Sequence, residues 1–203
     1  MPDLAAIAAD VIARATRAGA SAADAVAVEA ENFSVRVRLG AVERIESAQE
    51  KRLGLRCFSG ARSAVCSTSD LSPDTLTRFV EETCRLSQLT AEDPTAGLPE
   101  PAELATMIPD LRLWDDAAAR LPIEGRIDLA RRAEAAALAV DPRLTNSEGA
   151  DFDCTGARVV YATSAGFLGS YDASRAGLSV SPVASDNGQM QSDYWYKIGR
   201  AHV

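Results

Sequence analysis

A zinc hydrolase needs imidazoles or thiolates at fixed spacing and a carboxylate to activate the metal-bound water. This sequence of 203 residues has a single histidine, His202, one residue from its end. It carries no HExxH-type helix pattern, and no acid lies beside His202 to complete a site. The same scarcity removes Ser-His-Asp and Cys-His arrangements. The four cysteines, Cys57, Cys66, Cys84 and Cys154, form no CxxC, and three fall where an apolar residue belongs. They read as reduced, buried small hydrophobes, although Cys57 and Cys66 can face one another across a hairpin.

Two further groupings invite a chemical reading. Glu148, Asp151 and Asp153 put three acids within six positions, but their spacing does not fit an EF-hand loop. Gly156, Gly166 and Gly169 read as turn glycines, since no phosphate-cradling glycine motif follows a strand and opens a helix. No catalytic or metal-binding residue is therefore assigned. The second grouping is Asp193-Tyr194-Trp195-Tyr196, which concentrates aromatics in one strand. Tyr194, Trp195 and Tyr196 are the candidate interface residues, with core or inter-domain packing as the competing use.

Composition bounds the rest. Hydrophobic and charged fractions of 47% and 25% are ordinary for a globular chain. A formal charge of −8 argues against direct nucleic-acid binding, which needs clustered Lys and Arg. Arg36, Arg38 and Arg44 gather in one segment but are interleaved with Glu43 and Glu46, so they read as a solvated strand face. No basic leader precedes an apolar run, and no run approaches the roughly 18 apolar residues of a spanning helix, so a cytoplasmic, membrane-free location is expected.

The elements that would position these residues follow from periodicity. Leu4, Ile7, Ala8, Val11, Ile12 and Ala15 repeat at helical spacing behind Asp3. Strands are predicted around Val26 and Val28 and from Val35 to Leu39, then from Ala41 to Ser47 with a bulge where Val42 and Ile45 fall out of phase. A hairpin follows, with Leu53, Leu55 and Cys57 alternating inward and a turn at Ser59-Gly60-Ala61-Arg62. Ser72-Pro73 opens a second helix, the serine hydroxyl as cap. Prolines from Pro94 to Pro122 mark a linker anchored by Trp114. A helix from Pro122 carries Arg131, Arg132, Glu124, Asp128 and Glu134 on a mixed solvated face. Short strands close the chain, broken at Ala165-Gly166, Ala176-Gly177 and Asn187-Gly188. The predicted class is α+β: an N-terminal domain over residues 1–92, a linker over 93–121, and a helix plus antiparallel β region of a second, truncated domain over 122–203.

Five stretches in register resemble the TldD/PmbA family, close to its PmbA/TldE branch. They are Gly54-Leu55-Arg56 through Ser67 to Pro73, Glu92-Asp93-Pro94 with Ala96-Gly97-Leu98, Thr145 to Gly149, Ser164 to Tyr171, and Asp193-Tyr194-Trp195-Tyr196 with Ile198-Gly199-Arg200. The resemblance implies a cytoplasmic metallopeptidase system that cleaves unfolded or small peptides, with members also described as modulators of DNA gyrase. It implies a TldD-like partner subunit or self-association, and zinc held by an HExxxH helix that has no counterpart in these residues. The implied role is a scaffold, chamber wall and subunit interface. The competing reading is a stand-alone protein-binding module, and the reading frame beyond Val203 separates the two.

Overall fold

The computed structural model describes residues 3–199. His202 and Arg200, singled out above, lie outside the described residues. Helix α1 spans Leu4–Arg17, with the Asp3 carboxylate accepting the Ala5 N–H as cap. Strand β1 spans Ala22–Arg38, β2 Ala41–Ser59 and β3 Arg62–Thr68, followed by α2 at Pro73–Leu89. A 3₁₀ turn at Pro101–Glu103 and a short α3 at Asp116–Ala119 interrupt the proline-rich stretch. Helix α4 spans Ile123–Leu138, and β4 Leu144–Thr163, β5 Leu168–Asp186, β6 Gln189–Ser192 and β7 Trp195–Gly199 complete the chain. The strand order is β3-β2-β1-β4-β5-β6, with β7 also paired to β5. The fold is α+β.

The strands are longer than the sequence suggests. Glu29-Ala30-Glu31-Asn32 contains no Gly or Pro and stays extended, so the two expected strands are one. Ala176-Gly177 likewise lies inside β5. The three short turns obey their glycines. Leu39 and Gly40 both have positive φ, the type I′ pattern of a two-residue hairpin loop. Asn187 and Gly188 repeat it between the paired Asp186 and Gln189. At Gly60-Ala61 positive φ is confined to the glycine, as in type II′.

The described residues form two compact units, each drawn from three stretches: within 1–30, 50–111 and 158–172 for the first, and within 31–49, 112–157 and 173–203 for the second. In the first, α1 and α2 bury Leu4, Ile7, Val11, Leu76, Phe79 and Val80 against Ala23, Ala25, Leu53, Leu55 and Val160. In the second, Ala130 of α4 packs with Phe33, Val35, Val37, Phe152 and Val180. Each fully buried aliphatic or aromatic side chain contributes about 1.5–3 kcal/mol.

Two local expectations are corrected. Ser72 makes no side-chain cap; the Asp70 carboxylate instead accepts the Ser72 N–H and the Thr75 hydroxyl. Glu134 does not belong to a solvated face. It is 1% exposed and receives the Leu39 and Gly40 N–H groups. Its position seven residues after Ile127 and four after Ala130 places it on the buried stripe of α4.

Candidate functional site

The aromatic strand lies at the surface of the second unit. Antiparallel pairing sets Trp195 beside Val180, Tyr196 beside Ser179 and Ile198 beside Gly177. Residues two apart on a strand share a face, so Tyr196 and Ile198 line one side of β7 and Trp195 the other, while Tyr194 lies just before the strand. The Tyr194 and Tyr196 rings stack, 6.2 Å between centroids and 11° from parallel. Tyr194, Trp195 and Tyr196 are 70%, 54% and 58% exposed, so this structure does not use them as core. Rigid, amphipathic rings held by a sheet are the side chains that dominate protein contact surfaces.

The other candidates resolve into internal partnerships. Asp151 pairs with Arg36 through two hydrogen bonds of 2.8 and 3.1 Å, and the Asp153 carboxylate lies against Gly177 of β5. Arg38 donates to the Ser147 carbonyl and Arg44 pairs with Glu46. Trp114 lies on Gly156, where a Cβ would come within 2.9 Å of the ring. Its neighbours bind the backbone and side chain of Ser174, so the stretch is pinned to β5. Trp114 also walls a cleft of about 90 Å³ with Phe33, Arg126, Thr155 and Arg175, in which the Arg126 guanidinium sits 4.6 Å over the Phe33 ring.

Cys57 and Cys66 are not cross-strand partners. The register sets Cys57 against Ala64 and Cys66 against Leu55, two positions apart. Cys57 instead meets Cys84 of α2, whose thiol donates to it across 3.4 Å in the core of the first unit. Burial pushes the Cys57 thiol well up, and burial likewise raises that of Cys154. A raised thiol holds its proton at neutral pH and is a poor nucleophile or metal ligand.

One cluster escaped the sequence reading. Asp24 on β1 is 7% exposed, and it takes two hydrogen bonds from Arg56 and one of 2.9 Å from the Tyr161 hydroxyl. Burial raises the Tyr161 hydroxyl, and the Asp24 contact raises Arg56, whose guanidinium also lies 4.9 Å over Phe58. The partners are 32 and 137 residues away, so only the polar position of Asp24 within Ala-Asp-Ala hinted at them.

Zinc does not fit these residues. Among the described residues, no three His, Cys, Asp or Glu side chains come together as ligands. The buried thiols hold their protons, and the carboxylates of Asp24 and Asp151 are already taken by guanidinium groups. Among the described residues, no helix is long and apolar enough to cross a membrane.

Residues 23–87 match the PmbA/TldA metallopeptidase domain 1, and residues 116–201 match the PmbA/TldA metallopeptidase central domain. The chain belongs to the PmbA/TldD family. The metalloprotease PmbA of Escherichia coli O157:H7 is 38% identical over 169 residues, 83% of this chain and 37% of that protein. A PmbA homolog of Haemophilus influenzae is 37% identical over 92% of this chain and 41% of its own length. This chain thus spans about two fifths of the curated relatives it matches. A crystal structure of a candidate modulator of DNA gyrase from Bacteroides thetaiotaomicron superposes with a TM-score of 0.85 at 25% identity, covering 95% of this chain and 44% of that one. TldE from Thermococcus kodakarensis shares the fold at a TM-score of 0.77 and 12% identity, over 96% of this chain and 43% of its own.

Proposed function

We propose that this chain serves a PmbA/TldE-like subunit of a cytoplasmic, zinc-dependent peptidase system as scaffold, chamber wall and subunit interface. Hydrolysis of unfolded or small peptides then falls to residues outside this chain or to a TldD-like partner. The observation that supports the reading is that Tyr194 and the first two residues of β7, Trp195 and Tyr196, are exposed to solvent, the latter two on a strand paired with β5. Family membership supports the peptidase setting, since the relatives at 38% and 37% identity are named metalloproteases.

The test is hetero-association. Light scattering after size exclusion, on this chain mixed with a full-length TldD-like protein, should give one complex. Replacing Tyr194, Trp195 and Tyr196 by Ala should weaken it by roughly tenfold or more, as expected for interface aromatics. No complex at any concentration, or a complex indifferent to the triple substitution, overturns the interface role. Zinc-dependent peptide turnover by the 203-residue chain alone overturns the division of labour.

A further inference from the structure

Cys57 lies on the inward face of β2 with Leu53 and Leu55, and Cys84 lies on the buried stripe of α2 with Val80 and Ser87. Their sulfurs are 3.4 Å apart, and the residues are 0% and 4% exposed. The other two thiols stand elsewhere. Cys66 faces Leu55, and Cys154 belongs to the core of the second unit. A disulfide holds its sulfurs about 2.05 Å apart, so joining Cys57 to Cys84 takes a closure of roughly 1.4 Å shared between two side chains. As small hydrophobes these residues only fill volume; as neighbours they can also be joined.

We infer that Cys57 and Cys84 are a redox-responsive pair, converted by a peroxide into a disulfide that ties α2 to β2 inside the first unit. Burial keeps the Cys57 proton in place, and Cys84 lies in the last two turns of α2, where a helix frays first, so Cys84 meets the oxidant. Its deprotonated sulfur attacks one peroxide oxygen, the O–O bond breaks and a water leaves, giving a sulfenic acid. The Cys57 sulfur then attacks the Cys84 sulfur, the S–O bond breaks, and the hydroxyl departs with the Cys57 proton as a second water. Two thiols are oxidised by two electrons, and one peroxide is reduced to two waters. The product draws the sulfurs together and needs no new room, whereas a bulky adduct or further sulfur oxygens do not fit a close-packed core. The bond spans a sequence separation of 27 residues, so it restricts the unfolded chain and holds α2 on the sheet. Because the pair lies within one core, the inference depends neither on the peptidase reading nor on what covers the surface of that unit.

Hydrogen peroxide is added to the reduced full chain, remaining thiols are blocked with iodoacetamide under denaturing conditions, and the peptides are mapped by mass without reduction. A cross-linked peptide pair joining Cys57 to Cys84 is expected. The melting temperature of the oxidised chain should stand about 5–10 °C above that of the reduced chain. In the C66S/C154A variant, which keeps both thiols of the pair in place, the chain should lose the mass of two hydrogen atoms and regain it with dithiothreitol. Cys84→Ala should show neither the cross-link nor the oxidative rise in melting temperature. A treated chain that keeps both thiols free, or that carries sulfinic acid at Cys57 or Cys84 or a bond to Cys66 instead, overturns the proposal. So does a link that forms only in urea, which assigns it to the unfolded chain. A melting temperature that falls on oxidation also overturns it, since the joined sulfurs would then strain the first core.

Discussion

The Glu134 carboxylate grips both central amides of the first hairpin turn, accepting the Leu39 N–H at 2.9 Å and the Gly40 N–H at 2.8 Å. Arg131, one helical turn earlier, donates to the Gly40 carbonyl at 3.0 Å. Helix α4 thus fixes where β1 ends and β2 begins. A hydrogen bond to a charged group contributes about 1.5–3 kcal/mol, and a buried carboxylate with both oxygens engaged has no replacement in water. Glu134→Ala is expected to destabilise the chain by about 2–3 kcal/mol, and Glu134→Gln by about half of that. Urea unfolding at constant m-value measures both; an unchanged midpoint for Glu134→Ala would show that the turn holds itself.

Leu39 in that turn has φ +49° and is 58% exposed. A leucine gains little there from burial, and the left-handed conformation costs it about 1 kcal/mol relative to Asn or Gly. Leu39→Asn creates the Asn-Gly pair that type I′ turns favour, as Asn187-Gly188 already does in this chain. The melting temperature should rise by about 2–4 °C. A fall would mean that the leucine side chain packs more than its exposure indicates.

The reach of the sequence reading tracks the range of the interactions. Helix α1, the opening of α2 at Pro73 and the Gly60 and Asn187-Gly188 turns follow from residues within four positions of each other, and these were legible. Strand lengths were not. Polar residues such as Glu29, Glu31 and Asn32 look like a break, yet β1 runs through them, with no Gly or Pro there to interrupt it. The charge of Glu134 suggests a solvated face, whereas the hairpin amides that bury it lie about 95 residues away in sequence. The aromatic strand was found by composition, but whether it faced water or core depended on its pairing with β5, which no local pattern encodes.

Asp24, Arg56 and Tyr161 form a small network on three strands of the first unit. Asp24→Ala strands the Arg56 guanidinium and the Tyr161 hydroxyl together. Arg56 remains 37% exposed on its side chain, which reduces the penalty below that of a fully buried pair. A loss of about 2 kcal/mol is expected for Asp24→Ala and about 1 kcal/mol for Tyr161→Phe. Because the two share one carboxylate, the double variant should lose less than the sum, and strict additivity in a double-mutant cycle would contradict the network.

The cysteines set the alkaline limit of stability. Burial raises the Cys57 and Cys154 thiols in the folded chain above an ordinary value near 8.5. The unfolded chain therefore releases these protons first as pH rises, so their contribution is complete below about pH 8.5 and declines above it. On the acid side, the Arg143 guanidinium holds Asp141 down to about 2, and Arg158 lowers Asp172. Their contribution is complete above about pH 4 and declines below it. Urea midpoints should be flat between these limits and fall on both sides; Cys57→Ala should flatten the alkaline arm relative to the parent, and an arm of unchanged slope would remove Cys57 as its source. A thiol reagent at pH 8 should modify the half-buried Cys66 in the native chain while the buried Cys57, Cys84 and Cys154 react only on unfolding. Rapid modification of all four without denaturant would show that both cores open far more readily than their packing implies.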